Sequence, residues 1–393
     1  MKNKLVKAIG AGFAVTTMGA HAGEPAPVLA TPPAENSGDW CDTLQGLGTL
    51  YKSSDNPWIQ EVKLFGRFHY QYGYSDISNN GDDYSGDGDE IRRFRAGMSV
   101  KFLNGFKAVG RADFEDGGFR NHEAFSYAGM DEAYLQYDFG DVGFLEDFTV
   151  GYGRYKVKFG GEEYMSSKKI KTIERSNLNN LFVPSRSTGV LLGGNTGDYE
   201  LAFGFFSSAS SDQDWSDWDG GEFYFGSIGR DLCDVSSLRA DLIINDSSTQ
   251  EDDVLGYDWA ASLTYETEFG GWDLLANVTY GDLGRDEAYG IVLIPSYMLI
   301  EDRLEAVFRY QWAHSSGDVI PATRRNVRNV AGNEDPARGI ARGDDNHTFY
   351  AGLNYFLCDH NAKVMVGAEY ETLDGERVDL EATTLWAAFR MYF

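Results

Sequence analysis

Basic side chains are concentrated in residues 154–186, whose sequence is RYKVKFGGEEYMSSKKIKTIERSNLNNLFVPSR. The eight basic residues are Arg154, Lys156, Lys158, Lys168, Lys169, Lys171, Arg175 and Arg186, and the three acidic residues are Glu162, Glu163 and Glu174. The local charge of +5 contrasts with a net charge of −27 for the whole chain. Clustered cations attract small anions, so this stretch predicts an anion-binding segment. The alternative is a solvated surface loop.

The sequence contains no pattern that predicts an enzyme. HExxH, GxSxG and a Gly-rich loop ending in Lys-Ser/Thr are absent. Ser166 and Lys169 have the SxxK spacing of a Ser–Lys nucleophile, but a four-residue match of this kind is common by chance. The six histidines show no ligand spacing. We therefore expect neither catalysis nor a bound metal or cofactor.

A second charged stretch, residues 76–90, is acidic and rich in glycine. Its six acids are Asp76, Asp82, Asp83, Asp87, Asp89 and Glu90. Neighbouring carboxylates repel one another, and hard divalent cations prefer such oxygen ligands. We expect an external loop here that binds divalent cations weakly and collectively, without a dedicated site.

The sequence around both stretches alternates with period two, as the two faces of a β-strand do. From Val62 to Tyr72, one parity is apolar or aromatic and the other is mostly polar. The next two strands repeat this pattern, and Asn104-Gly105 between them is a strong hairpin signal. The basic residues on the polar faces of these three strands are Arg67, Arg93, Arg95, Lys101 and Arg111.

The alternation continues to the end of the chain and predicts sixteen strands. Their centres fall at residues 68, 97, 110, 135, 151, 190, 203, 225, 241, 262, 277, 293, 308, 352, 367 and 388. Short turns alternate with long loops at residues 76–90, 116–129, 154–187, 207–221, 245–256 and 314–346. This arrangement predicts an all-β fold, a transmembrane antiparallel β-barrel. A soluble β-sandwich would have to bury faces that carry too many charges.

Both termini fit export to a bacterial outer membrane. Residues 1–22 have the charged start, apolar run and Ala-His-Ala ending of a signal peptide. Their removal deletes three lysines and no acid, so the net charge changes from −27 to −30. Residues 23–60 are expected to be a periplasmic lead and residues 61–393 the barrel. The last strand ends at Phe393, which resembles the assembly signal of outer-membrane proteins.

Three cysteines, Cys41, Cys233 and Cys358, are too far apart for a CxxC site. Export permits one disulfide among them, and the sequence leaves the pairing open. The strongly acidic composition argues against binding to nucleic acid.

Several short motifs resemble the phosphate- and polyphosphate-selective porins, the porin O/P family. They are KLFGR at residues 63–67, EIRRFR at 90–95, DEAY at 131–134, MSS at 165–167, ERS at 174–176 and PSRSTGV at 184–190. The resemblance covers most of residues 60–393. It implies a trimeric barrel of sixteen strands, whose third external loop, here about residues 154–187, folds into the pore. It also implies lumen arginines that pass anions along.

We therefore predict a passive, water-filled channel for small solutes that prefers phosphate-like anions. A general or cation-leaning porin is the alternative, because the chain is strongly acidic. The expected partners are small anions, outer-membrane lipid and two further copies of the chain.

Lys168, Lys169 and Lys171 are expected to dominate the selectivity. The residues expected along the anion path are Lys156, Lys158, Lys168, Lys169, Lys171, Arg175, Arg186, Arg67, Arg93, Arg95 and Arg111. A second basic tract, Arg324, Arg325, Arg328, Arg338 and Arg342, is expected at the mouth.

Overall fold

The computed structural model describes residues 40–116, 124–208, 218, 221–246, 255–322 and 341–393. The predicted signal peptide and residues 23–39 of the predicted lead lie outside these ranges. Four arginines of the second basic tract, Arg324, Arg325, Arg328 and Arg338, also lie outside them. The fifth, Arg342, is exposed and donates from Nη1 to the carbonyl of Val319 at 3.0 Å.

Nearly all of the described residues with regular structure are β-strands. The three helices are α1 (Trp40–Gly46), α2 (Gly161–Tyr164) and α3 (Asn177–Phe182). The first strands are β1 (Thr49–Lys52), β2 (Ile59–Asn79), β3 (Asp82–Phe102), β4 (Phe106–Glu115), β5 (Ser126–Val142), β6 (Leu145–Lys156), β7 (Arg186–Thr196), β8 (Tyr199–Ser207), β9 (Glu222–Cys233) and β10 (Ser236–Asp246). The remaining strands are β11 (Trp259–Phe269), β12 (Trp272–Asp282), β13 (Glu287–Ile300), β14 (Leu304–Ser315), β15 (Ile320–Pro321), β16 (Arg342–Gly343), β17 (Asp345–Cys358), β18 (Ala362–Asp374) and β19 (Asp379–Tyr392).

Sixteen of the strands, β2 to β14 and β17 to β19, close into one antiparallel barrel. Each pairs with its neighbours along the chain, and β19 pairs with β2 from Leu380↔Asn79 to Tyr392↔Arg67. Closure removes the free edges that would otherwise expose unpaired backbone groups. The predicted all-β barrel of sixteen strands is confirmed, and each predicted strand centre lies within its own strand.

The barrel is apolar outside and polar inside. Leu64, Met98 and Phe203 are exposed on the outer wall, whereas Arg309 and Arg390 are fully buried on the inner side. An apolar band facing lipid around a polar interior is the pattern of an outer-membrane barrel. The predicted alternation of faces is therefore confirmed.

No helix among the described residues is long and apolar enough to span a membrane.

The prediction of a long external loop at residues 76–90 is wrong. Strands β2 and β3 run through it as one paired hairpin, and only Asn80 and Gly81 form the turn, both with positive φ (53° and 85°). The Asn-Gly pair favours this two-residue turn, and the flanking residues continue the strand. The acids thus lie along two strands, and the described residues contain no group of three or more metal-ligating side chains placed to hold an ion.

The segment before the barrel folds against the end of the barrel that carries the short turns. Cys41 of α1 forms a disulfide with Cys358 of β17, with Cα atoms 5.4 Å apart, and Cys233 is free and exposed. β1 pairs with β2 from Thr49↔Lys63 to Lys52↔Glu61, just beyond the last β19 pair. β1 therefore covers an edge of β2 that would otherwise be exposed.

Candidate functional site

The connection between β6 and β7, residues 157–185, folds into the lumen. It is the third connection at the end of the barrel opposite the short turns. Its apolar side chains Val157, Phe159, Ile173, Leu178 and Phe182 are buried together with inward residues of the barrel wall. The prediction of an inward-folded third loop is therefore confirmed. Hereafter we call residues 157–185 the inward loop.

Local hydrogen bonds explain the shape of the inward loop. Ser176 caps α3, since its side chain accepts a hydrogen bond from the backbone N–H of Asn179 at 3.1 Å. The N–H of Ser176 donates to the carboxylate of Glu162 at 3.1 Å, which ties α3 to α2. The two short helices therefore form one folded unit.

Between the inward loop and the wall of β2 to β6 lies a cavity of about 250 Å³, which we call the arginine cavity. Eight of the eleven residues predicted along the anion path line it: Arg67, Arg93, Arg95, Arg111, Lys156, Lys158, Arg175 and Arg186. The other lining residues are Glu132, Tyr164, Ser166 and Ser167. The structure therefore brings the basic strand faces and the basic loop together.

Four carboxylates neutralise part of the charge around the arginine cavity. Asp131 lies 3.0 Å from Arg95 and 2.8 Å from Arg186. Glu163 lies 3.0 Å from Nζ of Lys156 and 3.1 Å from Nε of Arg175. Asp113 pairs with Arg95, and Glu132 pairs with Arg111. Eight cations against these four carboxylates leave a formal charge of +4.

The pKa of Glu163 reflects these contacts. Burial raises the pKa, but the charges of Arg175, Lys156 and Arg186 outweigh burial and hold it below its ordinary range. Glu163 is therefore ionised at neutral pH and fixes the cations around it.

Two arginines of the cavity have no carboxylate within 4 Å among the described residues. Arg67 donates to the hydroxyl of Ser167, and Arg93 has a buried Nη1 without a hydrogen-bond partner. Both side chains are at least nine-tenths buried. Two guanidiniums without counter-ions, facing one cavity, form a site that favours an anion.

The other three predicted residues do not line the arginine cavity. Lys168 packs its ammonium 4.5 Å from the ring centre of Tyr392, and Lys169 is exposed. Lys171 is paired with Asp273 and also lies 3.6 Å from Glu305. The three lysines that were expected to dominate the selectivity therefore lie in three different environments outside the cavity lining.

Comparison with known proteins agrees with this geometry. The family model described as phosphate-selective porin O and P matches residues 62–223, which include most of β2, the whole of β3 to β8, the inward loop and all eight basic residues of the arginine cavity. The predicted resemblance is confirmed over these residues. No protein among curated sequences matches the chain.

Solved porins superpose on most of the barrel. An anion-selective porin from Comamonas acidovorans has a TM-score of 0.57 at 15% identity, covering 84% of this chain and 99% of its own. The outer-membrane channel DcaP of Acinetobacter baumannii has a TM-score of 0.54 at 14% identity, covering 87% of this chain and 99% of its own. OmpF of Salmonella typhi, in complex with daunomycin, has a TM-score of 0.56 at 11% identity, covering 87% of this chain and 100% of its own. The chain folds as a porin.

One arginine of the inner wall, Arg92, does not follow the alternation. β3 contains a bulge opposite His69 and Tyr70, which pair with Arg93 and Ile91, so Arg92 is the extra residue. The bulge turns Arg92 toward the lumen, where its Nε lies 2.7 Å from Glu174 of the inward loop. Strict period-two alternation predicts that Arg92 faces outward, so this prediction is wrong for Arg92.

Three further cations of the barrel wall hold the inward loop by its backbone. Lys363 donates from Nζ to the carbonyl of Ile170 at 2.5 Å, and Arg390 donates from Nη2 to Ile173 at 2.9 Å. Arg309 donates from Nη1 to the carbonyl of Glu174 at 2.6 Å. Arg309 and Arg390 lie on polar strand faces, but nothing in the sequence distinguishes them from other polar residues of the strands. The backbone carbonyls that they hold leave no signal in a sequence.

Proposed function

We propose that the chain is an outer-membrane porin, a passive and water-filled channel for small solutes that prefers anions such as phosphate. The observation that carries this proposal is the arginine cavity, in which Arg67 and Arg93 have no carboxylate within 4 Å among the residues that the structure describes. The resemblance to the phosphate-selective porins and the porin fold support it.

The local charge of the cavity can outweigh the acidic composition of the chain. At physiological ionic strength, charges further away than about 8 Å are largely screened. At about 4 Å, two unit charges interact by roughly 1 kcal/mol in bulk water and roughly 4 kcal/mol at an effective dielectric near 20. A permeating ion in the cavity therefore interacts more strongly with the arginines beside it than with the distant acids of the β2–β3 hairpin.

The kinds of donor in the cavity favour a polyatomic oxyanion. A guanidinium presents paired N–H groups that match two oxygens of a phosphate, whereas an ammonium is a point charge. The hydroxyls of Ser166 and Ser167, which line the same cavity, add donors for the remaining oxygens. A pore also has to release its ion, which the mixed charge of the cavity allows.

The general or cation-leaning alternative rests on the net charge of −27 and on the carboxylates Glu132 and Asp131 near the cavity. The reversal potential in a potassium chloride gradient across a planar bilayer separates the two. We expect the reversal potential to have the sign of a pore that is more permeable to chloride than to potassium. Added phosphate should reduce the chloride current. A reversal potential of the opposite sign would overturn anion preference and establish the alternative.

We further propose that the chain is exported by its signal peptide and assembles as a trimer in the outer membrane. The resemblance to porins supports this assembly, and the exposed apolar outer wall requires lipid or another protein surface. Chemical cross-linking in detergent should give a species three times the mass of the chain. A monodisperse protein without detergent would contradict the membrane assignment.

The anion preference should depend on pH through Lys168. Burial, followed by the charges of Arg67, Lys63 and Arg111, lowers the pKa of Lys168 to about 8. Lys168 is therefore charged below this pH and loses its proton above it. We expect the chloride-over-potassium permeability ratio to fall between about pH 7 and 9.

A Lys168→Arg variant is the matched control for this pH dependence. Its guanidinium stays charged over the whole range, so its permeability ratio should vary less with pH. An identical decrease in both proteins would assign the pH dependence to another group.

A further inference from the structure

A second cavity of the lumen differs in character from the arginine cavity. It has a volume of about 400 Å³ and lies between the inward loop and the inner wall of β5 to β9. Six apolar side chains that line it belong to the buried cluster inside the barrel or pack against that cluster. They are Tyr155, Val157, Leu191, Ala202, Phe206 and Phe225. We call this cavity the apolar recess.

Two of the six side chains, Leu191 and Ala202, are open to the recess. They are only half-buried, whereas the other four are at most 5% exposed and pack the inward loop against the wall. The lumen face of an outer-membrane barrel is ordinarily polar. An apolar surface left open in such a lumen indicates a contact for the apolar part of a solute.

Gly193 keeps the recess open. It faces the lumen, because it pairs in register with Ala202 and lies two residues after Leu191 on the same strand. A Cβ at Gly193 would lie 3.2 Å from Oγ1 of Thr149 and 4.0 Å from the carbonyl oxygen of Leu201. A larger side chain at this position would therefore extend into the recess and occupy it.

A cation lies where the apolar recess meets the arginine cavity. Lys158 lines both cavities, is exposed, and has no carboxylate within 4 Å among the residues that the structure describes. Its ammonium lies 5.4 Å from the ring centre of Tyr164, which also lines both cavities. Of the two acids that line the recess, Glu200 pairs with Arg239 at 2.6 Å, and Asp147 lies near the opposite end of β6. The junction of the two cavities therefore favours an anionic group.

We propose that the apolar recess binds the hydrocarbon part of organic anions, such as medium-chain carboxylates, while Lys158 holds their charged group. This inference rests on the proposed anion path and extends it to a different class of solute. Because Lys158 lines both cavities, a carboxylate beside its ammonium leaves the hydrocarbon chain next to Leu191 and Ala202. An ammonium is a flexible, hydrated point charge, so it can release the carboxylate again.

The hydrophobic effect sets the size of this preference. At about 25 cal/mol per Å², removing about 60 Å² of apolar surface from water changes an affinity about tenfold. This area corresponds to about two methylene groups. Water retains access to the rest of the chain in an open recess, so we expect about tenfold preference for an apolar over a polar body.

The test compares hexanoate and gluconate as blockers of single-channel chloride current at pH 7. Both are six-carbon carboxylates with one negative charge, but gluconate carries hydroxyl groups where hexanoate has only hydrogens. Hexanoate should give half-block at about one-tenth of the gluconate concentration. Equal block, or stronger block by gluconate, would overturn the inference while leaving anion preference intact. A cation-selective wild type would instead overturn the proposed function.

A pair of glycine variants locates the preference in the recess. Gly193→Leu fills the recess, so hexanoate should then block no better than gluconate. The matched control is Gly226→Leu, because Gly226 pairs in register with Phe203 and Leu242 on the exposed outer wall. Gly226→Leu should retain the tenfold preference.

Folding of each variant is checked by its change of mobility on gels after boiling. A wild-type preference in folded Gly193→Leu would contradict the assignment to the recess. If this variant does not fold, the comparison of hexanoate with gluconate in the wild type decides the matter.

The role of Lys158 is tested separately with Lys158→Gln. Both carboxylates carry the same charged group, so this variant should weaken block by hexanoate and by gluconate to a similar degree. Unchanged block by both would show that another cation holds the carboxylate and would overturn the role of Lys158.

Discussion

Replacing both unpaired arginines of the cavity, Arg67→Gln with Arg93→Gln, should remove most of the anion preference. These two guanidiniums line the cavity and have no carboxylate within 4 Å among the described residues, so an entering anion interacts with them directly. At about 4 Å, each contributes roughly 1–4 kcal/mol, depending on how far water screens the cavity. Since about 1.4 kcal/mol is tenfold, the chloride-over-potassium permeability ratio should fall at least about tenfold. Reversal potentials in a salt gradient measure this ratio.

The control for this double variant is Arg285→Gln with Arg377→Gln. It makes the same change in net charge, but Arg285 and Arg377 are exposed in turns at the end of the barrel opposite the short turns. Salt screens such charges from the cavity, so the permeability ratio should remain close to wild type. Equal effects of the two double variants would mean that overall charge controls selectivity, not the arginine cavity.

Replacing Arg309 with methionine should release the inward loop and destabilise the barrel. Arg309 is 1% exposed and pairs with Glu369 at 2.5 Å and Glu162 at 3.6 Å. It also donates to the carbonyl of Glu174. Methionine fills a similar volume but leaves two buried carboxylates without this cation. Removing one partner of a buried ion pair costs about 3–5 kcal/mol.

Denaturant unfolding in detergent measures the loss of stability, and tryptic cleavage after Lys168 and Lys169 reports release of the loop. The matched control is Arg230→Met. Arg230 pairs with Asp198 at 3.1 Å, but the two side chains are 46% and 71% exposed, so the expected cost is about 0–1 kcal/mol. If both variants lose equal stability without faster cleavage of the loop, Arg309 is not an anchor of the inward loop.

The sequence by itself determined the architecture of this protein. Period-two alternation reports which side of a strand each residue occupies, because successive Cβ atoms point to opposite faces. Sixteen strands that each have one apolar face can pair all their backbone groups in lipid only by closing into a barrel. The same parity placed Arg67, Arg93, Arg95 and Arg111 on the inner wall, where the structure has them.

Local reasoning was incomplete where backbone geometry departs from the simple repeat. The bulge in β3 changes the parity of one residue and brings Arg92 inside. The turn at Asn80-Gly81 lets β2 and β3 continue through a segment that composition alone assigns to a loop. Acidic and glycine-rich residues can occupy a strand when the partner strand supplies the backbone hydrogen bonds.

Only the tertiary structure decided which cations line the cavity without a carboxylate beside them. Lys171 is neutralised by Asp273, 102 positions along the chain, and Lys363 is bonded to the carbonyl of Ile170, 193 positions away. The disulfide likewise joins Cys41 to Cys358 across 317 positions. Such contacts form because barrel closure and the folded loop bring distant strands together. A run of basic residues shows how many cations a segment carries. The attraction that each cation exerts on an anion in the cavity depends on the acids that barrel closure places beside that cation.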